Sequence, residues 1–244
     1  MYSKQIRGKE NVKVSPRLGI LSWLPIALVF AQLVLYLVYR QGYLWSTAED
    51  SAYEWATFVA YACAAPVAGI LAWRWLRQGL RLRGIAYVAL TLGFVFIAGE
   101  EISWGQRIFG FAGPEALVEN NLQSEANLHN LLGRLALEGA YIAIGLWGIG
   151  VGRAVASRVS WLRPVYVYAP GRELFWWFLP VCAYYIYADY IGPLVARAAP
   201  GREILATGPA NFQEPMEFLL GVGFLLFVLS VWRRSRTSDP VETG

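Results

Sequence analysis

Apolar residues in this chain come in blocks of about 20, the length a helix needs to cross a hydrocarbon layer of about 30 Å. The blocks fall at residues 18–39, 53–73, 84–104, 131–151, 174–191 and 212–232. This pattern predicts an all-α, polytopic transmembrane helix bundle of about six spans. Residues 1–17 and 233–244 are polar tails, so the bundle fills 18–232 and leaves no room for a soluble domain. In the third block the uninterrupted apolar run, GIAYVALTLGFVFIAG, stops at Gly99. That run is too short to cross, so the helix is expected to continue through Glu100 and Glu101 to about Trp104. The connection at 105–130 is longer than a turn requires and reads as an outer interfacial segment, with a short helix after Pro114.

Composition agrees with this picture. The chain is 57% hydrophobic and 16% charged, outside the range of an ordinary soluble domain. The net charge of +4 would suit nucleic acid, but its placement argues for membrane orientation. Of 21 Lys and Arg, 16 lie in the two tails and in the loops around 74–83 and 153–172. Only Arg40, Arg107, Arg134, Arg197 and Arg202 fall to the other face. By the positive-inside rule both ends are expected in the cytoplasm, with an even number of crossings and no nucleic-acid partner. A polar, Lys-containing segment precedes the first span without a cleavage signal, so that span reads as a retained anchor. Cys63 and Cys182 sit inside predicted spans without a CxxC pattern, as apolar fillers, not as a disulfide or zinc-thiolate set. Small residues four apart, Gly139/Ala143 and Gly148/Gly152, offer close helix contacts, and Pro66 and Pro180 are expected to interrupt the second and fifth spans.

The acids are distributed opposite to the bases. Of 17, only Glu10, Glu173, Asp239 and Glu242 fall on the cytoplasmic side. Glu100 follows Gly84 by 16 residues, roughly 24 Å of helical rise, which places it inside the outer part of the layer. Glu138 is embedded in the fourth span, while Glu54, Asp189 and Glu217 lie near the outer ends of three others. A lone charge in lipid costs at least about 2.5–3.5 kcal/mol, so these groups should face the interior, pair, bind a metal or hold a proton. Arg134, one turn before Glu138, can neutralise it. Glu100 shares a face with Gly93 and Ala86, a small-residue stripe that suggests Glu100 points inward and Glu101 to one side. Glu214 and Pro215 suit the first turn of the last helix; Glu217, a turn deeper, is the better site candidate.

The densest polar constellation is GEEISWGQR, residues 99–107, followed by NNLQSEANLHN, residues 120–130. If the second piece is helical, Asn121, Glu125 and His129 share one face, and Gln123, Asn127 and Asn130 another. Glu100, Glu101, Glu125, His129 and Glu217 are therefore the catalytic candidates, as carboxylates and a titratable ring suited to general acid–base work. Trp104, Gln106, Arg107, Asn121, Gln123, Asn127 and Asn130 are the substrate-binding candidates, Trp104 and Arg107 as a clamp for an anionic headgroup. A single divalent metal held by carboxylates and His129 is compatible with this set without being required by it. The same Asn, Gln and His residues could equally cap the re-entry of the fourth helix.

This two-part signature resembles that of a family of uncharacterised bacterial multi-pass membrane proteins. The resemblance covers about 30 residues, 99–130; it implies a bacterial inner-membrane location and carries over no activity. Three functions fit the sequence: an intramembrane hydrolase or transferase on a lipid or lipid-linked substrate, with membrane lipids as partners; a non-catalytic subunit or lipid-binding scaffold with a membrane protein partner; and a proton- or cation-coupled transporter.

Overall fold

The computed structural model describes residues 16–48, 50–110, 134–158, 169–199, 201 and 208–237. It is an all-α bundle. The helices are α1 (Pro16–Val38), α2 (Arg40–Thr47), α3 (Ala52–Arg77), α4 (Arg81–Glu101), α5 (Gln106–Phe109), α6 (Arg134–Gly148), α7 (Val151–Arg158), α8 (Phe175–Ile186), α9 (Gly192–Ala198) and α10 (Gln213–Thr237). Among the described residues, four helical stretches are long and apolar enough to cross a membrane: Arg40–Arg77, Arg81–Glu101, Arg172–Ala198 and Gln213–Arg236. These correspond to the second, third, fifth and sixth expected spans. The described apolar part of the first, Trp23–Val38, is shorter. Of the fourth, the described helix is Arg134–Gly148, 15 residues or roughly 22 Å of rise. It stops where Gly150 takes a left-handed φ of +101° and the chain restarts as α7.

Helices α3 and α4 form an antiparallel hairpin, closed by a turn at Gly79 with φ +75°. One face of α3 carries Ala60, Ala64, Ala68 and Leu71, all buried. The small side chains of the three alanines let α10 approach closely: a methyl at Gly221 of α10 would sit 3.2 Å from Cβ of Ala60. Where helices stand further apart, aromatic rings fill the space. Phe94 of α4 lies 5.7 Å from Tyr61 and 5.2 Å from Phe224, and Trp147 of α6 lies 5.0 Å from Phe227.

The two prolines do not interrupt their helices. α3 runs through Pro66, and α8 through Pro180. The irregularity in the fifth span comes later, as a π-helical turn at Tyr187–Ile191 between α8 and α9. The glycine contacts also differ in detail from the expected pairs. Gly139 has open space around it, whereas Gly145 and Gly148 meet α8, at Cys182 and Phe178. Cys182 is buried there, and Cys63 is exposed on α3.

Charge is sorted along the helix axes. Glu54 opens α3 and Arg74 and Arg77 close it; α4 runs from Arg81 to Glu101; α10 runs from Glu214 to Arg234 and Arg236. One end of the bundle is thus acidic and the other basic.

The glycine seam yields a test. A methyl at Gly145 would lie 2.6 Å from Cβ and 3.0 Å from Cα of Cys182, so the backbone cannot yield cheaply. Gly145→Val is expected to destabilise the α6–α8 contact by about 1–3 kcal/mol, the usual cost of overpacking. Gly139→Val, facing open space, should leave the melting temperature in detergent near that of the wild type.

Candidate carboxylate–tyrosine site

The site grows from the buried face of α4. Tyr87, Phe94 and Glu101 recur every seven residues and therefore share one side of the helix. Tyr87 and Phe94 are core residues. Glu101 thus ends an aromatic stripe directed at the other helices, and Tyr61, in the core, feels its charge. This reverses the expected division between the two acids. The stripe through Gly93 and Ala86 is not the inward face: Ala86 is exposed and Gly93 has nothing within 4 Å of an added methyl.

Glu100 is nonetheless buried, at 4% exposure, because the chain beyond it doubles back. The helix ends at Glu101, three residues short of the Trp104 end expected from its apolar length. Ser103, Trp104 and Gly105 then all take left-handed φ values of 48°, 55° and 83°. In the two residues with side chains such a conformation costs of order 1–3 kcal/mol each and needs a compensating contact. Trp104 supplies one. Its indole N–H donates to Oε1 of Glu100, its ring meets Phe96 edge-on at 5.8 Å, and it lies over Gly99, where a methyl would be 2.8 Å from Cε3. Gly99, Glu100, Trp104 and Gly105 are therefore one interlocked reversal.

Glu217 on α10 lies within electrostatic range of Glu101. The charges acting on Glu101 come first from Glu217, then from Glu214, Glu54 and Glu100, so α3, α4 and α10 bring acids to a common level. Glu217 is held by hydroxyls from two further helices. Tyr141 of α6 donates to its Oε1 at 3.0 Å, and Tyr185 of α8 donates to the same oxygen at 3.3 Å. The two rings stack at 4.4 Å with planes 1° apart, which fixes both hydroxyls on one acceptor. Tyr43 of α2 donates to the Ala210 carbonyl at 2.7 Å and ties α2 to the turn that starts α10. The π-helical turn, with half-buried Asp189, begins two residues after Tyr185.

Of the sequence candidates, Glu217 and Glu100 lie within electrostatic range of Glu101, and Trp104 is bonded to Glu100. Gln106 is half-buried at the start of α5, and Glu138 is half-buried on α6. Asn121, Gln123, Glu125, Asn127, His129 and Asn130 lie outside the described residues, as do the side chains of Arg107 and Arg134. Among the described residues no three His, Cys, Asp or Glu side chains are placed to hold a metal ion, and the expected metal includes His129. The tyrosines were not expected. Their signal was a phenol inside an apolar span, since a hydroxyl buried in lipid requires an acceptor.

Comparison with protein-family models, curated proteins and solved structures finds no match. Two half-buried carboxylates within electrostatic range of one another in an apolar bundle favour a proton or a cation at one of them. A carboxyl pair of that kind can take up a proton on one member and release it from the other.

Replacing Glu217 tests the tyrosine bonds. Glu217→Leu deprives two hydroxyls of their acceptor and is expected to cost about 1–3 kcal/mol for each hydroxyl left buried and unsatisfied. Glu217→Gln keeps an acceptor oxygen and should melt close to the wild type. Adding Tyr141→Phe to Glu217→Leu should recover part of the loss, a coupling that thermal melts of the four proteins would read.

Proposed function

We propose that this protein is an intramembrane enzyme, a hydrolase or transferase acting on a lipid or lipid-linked substrate at the acidic end of the bundle. The observation that carries this reading is Glu217, held by two stacked tyrosines from other helices and within electrostatic range of Glu101. A scaffold needs a partner-facing surface, not an interior acid pair. In the proposed reaction Glu217 is the fixed base. It takes the proton from water or an acceptor hydroxyl as that oxygen attacks the substrate's ester or phosphoester centre. Glu101 gives its proton to the departing oxygen, and transfer from Glu217 to Glu101 restores the starting state. Glu125 and His129 enter as further acid–base candidates, and Gln106, Arg107 and the amides Asn121, Gln123, Asn127 and Asn130 as polar contacts to the headgroup.

The proposed setting is a bacterial inner membrane crossed six times with both ends in the cytoplasm. The basic ends of α3, α4 and α10, with Arg172 just ahead of α8, support this orientation. Reporter fusions should place residues 1 and 244 in the cytoplasm and a fusion at residue 201 outside; a cytoplasmic signal at 201 would invert the scheme and move the site to the other face.

For the activity, cells lacking the protein would be complemented with wild type, Glu101→Gln, Glu217→Gln or His129→Ala, and their lipids compared by mass spectrometry. Wild type is expected to convert a lipid that accumulates in the deletion strain. The two Glu variants should insert at normal levels and leave that lipid unconverted. Identical lipid profiles in deletion and wild-type cells would remove the enzyme reading.

A second reading has one observation of its own. The π-helical turn at Tyr187–Ile191 breaks the regularity of a long span beside the acids, and such turns recur at functional sites. A proton- or cation-coupled transporter would use the acid pair as its ion site. Flux into proteoliposomes that disappears with Glu101→Gln would favour it.

A further inference from the structure

On the flank of the α3–α4 hairpin, about a quarter turn around α4 from its bundle-facing side, the two helices frame an apolar groove with a volume of about 570 Å³. Its floor is made of small residues: Ala62, Ala65 and Gly69 from α3, Ala98 and Gly99 from α4. Ala62, Pro66 and Val95 are exposed along it, and both helices belong to stretches long and apolar enough to span a membrane. The medium bathing this face is therefore hydrocarbon.

The geometry points to this groove as the binding subsite for one long acyl chain of the lipid substrate, with the polar linkage of that lipid at the level of Trp104. Three features select this occupant. The first is length. Along α3 the groove runs from Phe58 to Gly69, roughly 16 Å of helical rise, or about half of a 30 Å hydrocarbon core. That is the reach of a chain anchored in a single leaflet. The second is direction. α3 enters from the acidic end and α4 leaves toward it, so Phe58, Ile102 and Trp104 mark the outer end of the groove, and Gly69 and Thr91 lie near mid-membrane. The third is continuity with the acid site. Trp104 lines the groove, lies over Gly99 of its floor, and donates its indole N–H to Glu100, the chain neighbour of Glu101. A second transmembrane helix would have to pass Trp104, which is 42% exposed, to lie along this face. An acyl chain ends at its headgroup and need not.

The substrate role rests on the enzyme reading; occupation of the groove by a lipid chain does not. The full-length protein would be placed in nanodiscs of phosphatidylethanolamine and phosphatidylglycerol, with a trace of phosphatidylglycerol carrying a diazirine midway along one acyl chain. After illumination, adducts should concentrate on residues 58–69 and 91–102. They should fall several-fold in Ala62→Phe and Gly69→Leu, which fill the groove from an exposed position and from one where a methyl meets only Thr91 at 3.6 Å. Glu101→Gln should label like the wild type. In cells, the same groove-filling variants should slow conversion of long-chain lipids while the protein inserts normally. Adducts spread evenly over all lipid-facing helices, or undiminished by filling, would overturn the proposal. So would a dimer cross-linked through α3 in place of lipid adducts, since the groove would then hold a second copy. Groove labelling that falls with filling, combined with cell lipids indifferent to Glu101→Gln, would support the lipid site and defeat the enzyme reading instead.

Discussion

Negative charge inside an apolar helix bundle must be answered locally, and the arrangement at the acidic end follows from how Glu217 is answered. A half-buried carboxylate in an apolar bundle would be drawn toward water were it not bonded. Hydroxyls from α6 and α8 converge on one of its oxygens. Because the two tyrosine rings stack, that oxygen also fixes how α6 and α8 meet. One acid thus joins three helices with hydrogen bonds that water does not compete for. The Gly145–Cys182 and Gly148–Phe178 contacts hold the same helices further toward the basic end. The tyrosine pair therefore rests on a close-packed base.

Glu100 is answered differently. Its partner comes from its own chain, four residues on, and reaching it requires two residues with side chains to adopt left-handed backbone. The reversal stores a local cost that the Trp104 indole offsets through one charge-assisted hydrogen bond and its ring contacts. This explains the order of residues in GEEISWGQR better than ligand recognition does. Gly99 gives the indole room, Glu100 accepts its proton, and Gly105 takes the third left-handed position without a steric penalty. The Trp104 N–H is spent on Glu100.

Much of this was legible in the sequence, because lipid leaves a helix few alternatives. The apolar blocks gave the helices, and the opposed charges gave the acidic and basic ends. What failed was the choice of face on α4. Small residues at Ala86 and Gly93 look like a packing stripe, but large aromatic residues can fill an interior as well. Tyr87 and Phe94 do so against α3 and α10, which turns Glu101 inward. The prolines misled for a related reason: a long apolar helix held by its neighbours continues through Pro66 and Pro180, since neighbouring groups can answer the freed carbonyls. The tyrosine partners of Glu217 were hidden because a phenol inside a span shows that an acceptor is needed without showing which one. Only the third dimension shows that Tyr141 and Tyr185 aim at the same atom.

The α3–α4 seam acts as a partition, with an acid on the bundle face of α4 and a hydrocarbon groove on the flank the two helices share. A helix cannot be crossed, since its backbone hydrogen bonds close it along its whole length. A headgroup whose chain lies in the groove therefore reaches Glu101 only around the end of the helix. The left-handed reversal at Ser103–Gly105 puts that end immediately beyond Glu101. Had the helix run on to Trp104, the length its apolar pattern suggested, Glu101 would lie nearly a turn below the rim, behind continuous backbone. The strained turn brings the acid to the edge of the partition, and Trp104, bonded to Glu100 on one side and lining the groove on the other, forms the corner between the two.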